Sequence, residues 1–158
     1  MAKILYLDSI KDMEPCPIDK SLKDEYGHQV DFVASKTEAE KKLKEKRYDC
    51  FLLEILGSRK QKVNSAGKRE IVFSEKAGIR LIKRIRKSKV GKLNSNIFIV
   101  VVTASRQPCF LKEATREGLE NGGDILVFQK PARLALVQAM IKLSLNSNKK
   151  QKKERRRK

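Results

Sequence analysis

The sequence predicts an α/β fold in which helices cover both faces of a doubly wound, five-stranded parallel sheet. Five short apolar runs alternate along the chain with stretches that place apolar residues at helical spacing. The runs at residues 49–56 and 97–103 are almost continuous in apolar side chains, as expected for strands that are buried on both faces. Parallel neighbours need crossover connections, and right-handed crossovers place helices on both faces of the sheet.

The first part of the chain predicts two strand–helix pairs. Residues 3–7 read KILYL, a short apolar run that ends at polar residues and suits the first strand. Residues 17–26 carry apolar side chains at helical spacing, and a glycine follows where a helix would end. Residues 30–34 predict the second strand, and Thr37 with Glu40 matches the T-x-x-E capping box that opens a second helix.

Three more strand–helix pairs complete the pattern. The longest connection, residues 57–74, exceeds a simple loop and carries two β-rich runs around a turn-like Asn-Ser-Ala-Gly. We expect a small hairpin insertion there, after the third strand, with a flexible basic loop as the alternative. The remaining strands are predicted at residues 49–56, 97–103 and 125–128, and the remaining helices at residues 75–87, 114–121 and 132–145.

Length and charge predict one domain followed by a basic tail. With 158 residues, 40% of them hydrophobic, the chain suits one well-buried domain, which we place at residues 1–146. The net charge is +18, and the last ten residues hold eight Lys or Arg against one Glu. Residues 147–158 are therefore expected to be a disordered tail that serves either solubility or the binding of anions such as nucleic acid. The candidate anion-binding residues are Lys149, Lys150, Lys152, Lys153, Arg155, Arg156, Arg157 and Lys158.

Several functional classes lack their sequence signatures. The chain has no G-x-G-x-x-G, no G-x-x-x-x-G-K-[ST] and no H-E-x-x-H, so we do not expect a conventional enzyme. Its three cysteines form no C-x-x-C, which favours a reducing cytoplasm; Cys50 is expected inside the third strand and Cys109 in the loop after the fourth. No signal peptide and no membrane span of roughly 20 apolar residues is evident. The single histidine, His28, is expected to be exposed and without function.

Polar residues lie at the end of, or directly after, four of the five predicted strands. Asp8 and Ser9 come after the first strand, and Glu54 lies near the end of the third. Thr103 ends the fourth strand, and Lys130 follows the fifth. In open parallel sheets, functional groups gather outside the carboxyl ends of the strands, at the point where the strand order switches. We therefore expect these five side chains to converge at one edge of the sheet.

Five segments, in this order, resemble response-regulator receiver domains of two-component signalling. They read KILYLDS at the first strand, YDCFLLEIL at the third, GIRLIKRIR in the third helix, IVVVTAS at the fourth strand and GGDILVFQKP at the fifth. The resemblance covers residues 3–145. It implies a flavodoxin-like sheet of order 2-1-3-4-5 and a signalling partner in a phosphorelay, either a histidine kinase or a downstream target.

The resemblance also assigns roles to the residues at the strand ends. In that family an aspartate ending the third strand accepts a phosphoryl group, an acidic pair after the first strand holds Mg²⁺, and a hydroxyl and a lysine contact the phosphoryl group. By the resemblance, Asp8 matches the first acid, Thr103 the hydroxyl and Lys130 the lysine. Ser9 stands at the second acid and Glu54 at the phosphoacceptor, so two essential groups differ.

These departures predict a pseudo-receiver. Ser9 lacks the charge and the oxygen ligands of an acid, so we expect no firm cofactor and only weak Mg²⁺ binding through Asp8. Glu54 is one methylene longer than aspartate, which moves its oxygen beyond the roughly 0.5 Å tolerance of a preorganised site. Val127 occupies the position where many receivers carry a switching aromatic ring. Output is then expected through protein contact on the surface of the fourth helix, fifth strand and fifth helix.

Two hypotheses extend this prediction. In the first, the Glu54 carboxylate takes the place of a phosphoryl group and pairs with Lys130 and Thr103 to hold one signalling conformation. Its alternative is a plain ion pair at a strand end. In the second, the receiver fold is a scaffold, and the basic tail and insertion bind nucleic acid or another anionic surface. A steep dependence of affinity on salt distinguishes this second hypothesis from protein contact.

Overall fold

The computed structural model describes residues 1–8, 17–55, 75–105, 107–130 and 134–155. Ser9, the predicted hairpin at residues 57–74 and the last three cations of the chain lie outside the described residues. Within the described ranges, each strand lies within one residue of its predicted bounds. The strands and helices are β1 (Lys3–Leu7), α1 (Pro17–Asp24), β2 (Gln29–Val33), α2 (Lys36–Glu45), β3 (Cys50–Ile55), α3 (Glu75–Arg86), β4 (Phe98–Thr103), α4 (Pro108–Leu119), β5 (Ile125–Gln129) and α5 (Leu134–Arg155).

The five strands form one parallel sheet in the order β2-β1-β3-β4-β5, which confirms the predicted fold class. The strand order changes direction at β1. The next strand, β2, lies on one side of β1, and β3, β4 and β5 follow one another on the other side. The register pairs Leu7 of β1 with Val33 and with Leu53. Asp8 and Glu54, each one residue further along, therefore lie at the switch point, where parallel sheets usually place their functional groups.

Helices cover both faces of the sheet, and alternate side chains of the strands pack against each layer. One face packs against α2, α3 and α4, and the other packs against α1 and α5. This arrangement explains why the central strands read as continuous apolar runs rather than as alternating ones. Buried strand residues of the first face include Leu5, Leu7, Phe51, Leu53, Ile99 and Val101, and those of the second face include Ile4, Tyr6, Leu52, Val100 and Val102.

The start of α2 differs from the predicted capping box. Ser35, with extended φ and ψ of −137° and 152°, is the N-cap, and its hydroxyl accepts a hydrogen bond from the Glu38 N–H at 3.2 Å. The Glu38 carboxylate reaches back to the Ala34 N–H at 3.4 Å. The predicted pair of Thr37 and Glu40 is therefore wrong, because an S-x-x-E pattern two residues earlier satisfies the first N–H groups of the helix.

The start of α4 also differs from the prediction, by six residues. The helix begins at Pro108, whose fixed φ and missing N–H suit the first turn of a helix. Cys109 is consequently an exposed residue of the first helical turn and not part of a loop. Cys50 is completely buried in β3, as predicted.

α5 continues to Arg155, ten residues past its predicted end. This differs from the predicted disordered tail, since the backbone of residues 147–155 is helical. The segment lacks Gly and Pro and is rich in Lys, Gln, Glu and Arg, which are good helix formers. The division into a domain and a separate tail stays a prediction. Among the helices that the structure describes, none is long and apolar enough to cross a membrane.

His28 is buried, and the prediction of an exposed side chain is wrong. Its ring nitrogen Nδ1 accepts a hydrogen bond from the Ala2 N–H at 3.3 Å, and Nε2 lies 3.1 Å from Gln138 Oε1 on α5. Because Nδ1 accepts from a backbone N–H, the neutral ring carries its proton on Nε2 and donates it to Gln138. Burial lowers the pKa of His28 below its usual 6.5, an effect larger than the opposing hydrogen bond to Gln138.

A buried cation lies at the amino ends of β4 and β5. Arg86, the last residue of α3, is 1% exposed. Its guanidinium donates to four backbone carbonyls, and burial lowers its pKa to about 10. The four acceptors are the carbonyls of Ser95, Ile97, Gly118 and Asp124.

Candidate functional site

The carboxyl edge of the sheet brings together the ends of β3, β4 and β5. The register pairs Glu54 with Val102, one residue before the end of β4. Beyond β5, the Lys130 N–H donates to the Thr103 carbonyl at 2.8 Å, which extends the ladder between β4 and β5 by one hydrogen bond. This bond fixes where the lysine side chain begins and directs it across the end of β4 toward β3.

Glu54 and Lys130 form an ion pair between Glu54 Oε1 and Lys130 Nζ. The glutamate side chain is 5% exposed, whereas that of the lysine is 33% exposed. A carboxylate at this depth loses most of its hydration, a cost that a close cation offsets. The lysine can supply that cation while part of its stem stays in water. The pair therefore holds the Glu54 carboxylate at the edge of the sheet.

Tyr6 of β1 is a member of the site that the sequence did not predict. Its hydroxyl lies 2.7 Å from Glu54 Oε2 and 3.2 Å from Asp8 Oδ2, and the residue is completely buried. The ring contacts Phe32 edge-to-face, with centroids 5.5 Å apart. A buried tyrosine hydroxyl needs a polar partner. The available signal was the single tyrosine of the KILYL run. Tyr6 lies two residues before Asp8, and side chains two residues apart lie on the same side of a strand.

Asp8 directly follows β1 and is 5% exposed. Its N–H donates to the Val33 carbonyl at 3.2 Å, which continues the pairing of β1 with β2 past the end of the strand. The Asp8 carboxylate is thereby held beside Glu54, with the Tyr6 hydroxyl in contact with both. The structure thus brings together Asp8, Glu54 and Lys130 from the predicted set.

Thr103 is fully buried, and its hydroxyl is bound to the loop that follows β4. Thr103 Oγ1 accepts a hydrogen bond from the Ser105 N–H at 3.0 Å, and the Ser105 hydroxyl accepts one from the Gln107 N–H at 3.2 Å. The predicted pairing of Thr103 with Glu54, both of which the structure describes, is therefore not found. The short chain of hydrogen bonds instead fixes the loop that leads into α4.

Val127 lies half-buried on β5 at the base of an open groove beside α4. The groove has a volume of about 450 Å³, and its walls combine apolar and cationic side chains of α4. Valine leaves this space open because its side chain is much smaller than an aromatic ring. The α4 residues that line the groove are Leu111, Lys112, Thr115, Arg116 and Leu119.

Among the residues that the structure describes at the carboxyl edge, the carboxylates are arranged for other partners than a magnesium ion. Mg²⁺ needs several oxygen ligands in near-octahedral geometry. Both Glu54 oxygens already have partners, Lys130 at one and the Tyr6 hydroxyl at the other, and Asp8 contacts the same hydroxyl. Within the part of the chain that the structure describes, no group of three His, Cys, Asp or Glu residues could hold a metal.

The predicted anion-binding cations fall into two groups. The first five, from Lys149 to Arg155, belong to the helical backbone of α5. The last three, at positions 156–158, lie outside the described residues. A helix spaces successive residues by about 1.5 Å along its axis, less than half their spacing in an extended chain.

Comparisons with known proteins agree with this architecture. No protein-family model matches the chain, and no curated protein matches it. A CheY-like response-regulator receiver domain protein from Methanospirillum hungatei JF-1 matches 96% of this chain and 98% of its own, with a TM-score of 0.65 and 18% identity. A two-component response regulator from Clostridium difficile matches 92% of this chain and 97% of its own, with a TM-score of 0.61 and 27% identity.

A third solved structure with this fold is a receiver domain that contains a metal ion. The receiver domain of the sensor histidine kinase PA1611 from Pseudomonas aeruginosa PAO1 has a magnesium ion coordinated in its active-site cleft. It matches 92% of this chain and 98% of its own, with a TM-score of 0.61 and 18% identity. The chain therefore has the receiver-domain fold of two-component response regulators, as its five segments predicted.

Proposed function

We propose that this chain is a pseudo-receiver, a signalling module of the two-component type that the Glu54–Lys130 ion pair holds in one conformation. The observation that carries the proposal is this pair, because the Glu54 side chain is 5% exposed and its carboxylate contacts the lysine. In the receiver family the corresponding lysine contacts a phosphoryl group. Here a permanent carboxylate supplies the negative charge, so the contact needs no phosphorylation.

The same contacts make Glu54 a poor phosphoryl acceptor. A nucleophilic carboxylate must present an oxygen with an available lone pair to the phosphorus atom. One Glu54 oxygen pairs with Lys130, and the other accepts a hydrogen bond from Tyr6 at 2.7 Å. Burial also restricts the approach of a donor, because only 5% of the Glu54 side chain is exposed.

Exposure of the natural protein to acetyl phosphate and Mg²⁺, read by intact-mass spectrometry, tests the proposal. We expect no phosphoryl adduct on the natural protein and an adduct on the Glu54→Asp/Ser9→Asp protein, which restores both acids. Glu54→Asp by itself separates the contribution of the acceptor from that of the metal ligand. An adduct that maps to Glu54 in the natural protein would contradict the proposal.

Output by contact with another protein is supported by the surface of α4, β5 and α5. The groove beside Val127 is open, and large apolar side chains are exposed on both helices. Exposed apolar side chains grouped with polar neighbours are typical of interaction surfaces. The exposed residues are Leu119 of α4 and Leu136 and Leu143 of α5. The partner that we propose is a histidine kinase or a downstream target. The location that we propose is the cytoplasm, because free thiols such as Cys50 and Cys109 are typical of a reducing compartment.

Binding of anionic polymers by the basic end of α5 is a second candidate function. The observation that favours it is charge, because the chain carries +18 and its last ten residues hold eight Lys or Arg. If that end neutralises six phosphates, the logarithm of the affinity for duplex DNA falls against the logarithm of salt with a slope of roughly −5. Replacing Lys149, Lys150, Lys152 and Lys153 by Gln should flatten the slope. A slope near zero in the natural protein would rule the candidate out.

A further inference from the structure

Two carboxylates and one hydroxyl meet where β1 and β3 lie side by side. Asp8, Glu54 and Tyr6 are 5%, 4% and 0% exposed. The Tyr6 hydroxyl contacts one oxygen of each carboxylate, at 3.2 Å for Asp8 and 2.7 Å for Glu54. Like charges held close together away from water repel each other strongly. A group that donates hydrogen or carries positive charge between them reduces that repulsion.

The hydroxyl has one hydrogen to offer, and its geometry assigns the main hydrogen bond to Glu54. The contact of 2.7 Å is a typical length for an O–H···O bond, whereas 3.2 Å to Asp8 is a weaker second contact. The remaining Glu54 oxygen pairs with Lys130. Tyr6 and Lys130 thus each contact one oxygen of the Glu54 carboxylate, and Tyr6 also contacts the Asp8 carboxylate.

A divalent cation would serve the same purpose at the same place. Mg²⁺ binds carboxylate oxygens at about 2.0–2.1 Å and keeps several waters in its octahedral shell. The Tyr6 oxygen already occupies the point from which one oxygen of Asp8 and one of Glu54 are both reached. The phenol group and a cation that bridges the two carboxylates therefore compete for the same space.

Tyr6 cannot turn its hydroxyl away without disturbing the core. Tyr6 lies on β1, between β2 and β3, and the register pairs it with Phe32 of β2 and Leu52 of β3. Its ring is fully buried and contacts the Phe32 ring edge-to-face, at an interplanar angle of 74°. Close-packed side chains keep one rotamer, so the hydroxyl is a fixed part of the site.

We propose that Tyr6 determines the cation specificity of this site: its hydroxyl holds Asp8 and Glu54 together in place of a metal ion and excludes divalent cations. The inference rests on the proposed function, because it gives the metal independence of the pseudo-receiver a structural cause. It also predicts that removal of the Tyr6 hydroxyl oxygen is enough to let the site bind a divalent cation.

Titration of the full-length protein with Mn²⁺, followed by electron paramagnetic resonance of the unbound ion, tests this proposal. Tyr6→Phe removes the hydroxyl oxygen and keeps the ring that packs on Phe32. We expect no saturable binding by the natural protein at millimolar Mn²⁺. The Tyr6→Phe protein should bind Mn²⁺ saturably, with a dissociation constant at least roughly 10-fold below the lower limit that the natural protein sets, the size of effect that groups around metal ligands have on affinity.

Tyr48→Phe is the matched control. The Tyr48 hydroxyl also donates to a carboxylate, Asp31 Oδ2, at 2.6 Å, but it lies near the amino end of β3, away from Glu54. Loss of this hydroxyl should leave Mn²⁺ binding as in the natural protein. A gain in the Tyr48→Phe protein equal to that of Tyr6→Phe would overturn the proposal, because the effect would then not depend on the site.

Two other results would also overturn it. One is saturable Mn²⁺ binding by the natural protein with the affinity of Tyr6→Phe, and the other is no gain in a folded Tyr6→Phe protein. Tyr6→Leu, measured in parallel, provides the same test if the phenylalanine variant does not fold. The proposed function is judged separately, by the conformation and partner contact of Glu54→Gln in metal-free buffer, so either idea can fail without the other.

Discussion

The two edges of the sheet bury charge in opposite ways. At the amino ends of the strands, the Arg86 guanidinium donates to four backbone carbonyls. At the carboxyl ends, the Glu54 carboxylate is held by two side chains, Lys130 and Tyr6. Backbone acceptors are positioned by the fold itself, whereas side-chain partners can be exchanged by single substitutions. The first edge therefore serves stability, and the second edge is where chemistry can change while the fold is kept.

Close packing around Arg86 supports this difference. A Cβ atom added at Gly123 would overlap the Arg86 guanidinium, and one added at Gly118 would overlap the Ile125 side chain. Asn121 Nδ2 also donates to the Arg86 carbonyl at 2.7 Å. The surroundings of Arg86 thus leave no room for a larger side chain at Gly118 or Gly123. By contrast, the carboxyl edge leaves Lys130 one-third exposed and an open groove above Val127.

Breaking the amino edge should produce the largest loss of stability. Arg86→Met removes the donor from four carbonyls and keeps a side chain of similar length, so we expect the free energy of unfolding to fall by roughly 3 kcal/mol or more. Urea denaturation measures this change. Arg84→Met is the matched control, since Arg84 donates two hydrogen bonds to Glu40 on a partly exposed surface and should lose about 1 kcal/mol or less. Equal losses in the two variants would remove the contrast between the edges.

Breaking the carboxyl edge should change conformation more than stability. Glu54→Gln keeps the shape of the side chain and removes its charge, and with the charge it removes the cost of burying it. Lys130 loses its partner but can turn toward water, so we expect a loss of about 1 kcal/mol or less. The NMR signals of Ser105 and Gln107 should shift, because their loop follows the end of β4 beside this pair.

Glu40→Gln is the matched control for that change, because Glu40 pairs with Arg84 away from the site. It should leave the signals of Ser105 and Gln107 where they are. Unchanged signals and unchanged partner contact in Glu54→Gln would reduce the Glu54–Lys130 pair to a plain ion pair at a strand end.

A third, smaller effect concerns His28, which connects the start of the chain to α5. Because burial lowers the pKa of His28 in the folded protein, the unfolded chain binds more protons just below pH 6.5. The free energy of unfolding should therefore fall as the pH drops from 6.5 toward the lower pKa of the folded state. Protonation would also place a proton on Nδ1, which now accepts from the Ala2 N–H.

Urea midpoints at about pH 7.5 and about pH 5.5 measure this effect for the natural protein and for His28→Gln. The variant should lose less stability over the interval, since the carboxylates that titrate at lower pH are common to both proteins. Parallel curves for the two proteins would show that His28 does not contribute. Lys142 and the N-terminal amino group, which also disfavour a charge on His28, are present in both proteins.

Local sequence patterns were enough to predict the parallel sheet, and the resemblance to receiver domains supplied its strand order. Short apolar runs such as KILYL and IFIVVVT have few alternatives to buried strands, and their alternation with helical segments forces parallel crossovers. Patterns were less reliable at helix ends. Thr37 and Glu40 matched a capping box as well as Ser35 and Glu38 did, and only the backbone conformation at Ser35 distinguishes them.

The sequence by itself determined the fold class and the strand ends that carry Asp8, Glu54, Thr103 and Lys130. The two departures from the receiver pattern, at Ser9 and Glu54, stay predictions from the resemblance. Only the tertiary structure decided the partners of the buried polar groups. Tyr6 meets a carboxylate 48 residues away, Arg86 a carbonyl 32 residues away and His28 an amide 110 residues away. Such contacts depend on how the crossovers place strands and helices against one another. The periodicity of side chains along a single segment does not predict that placement.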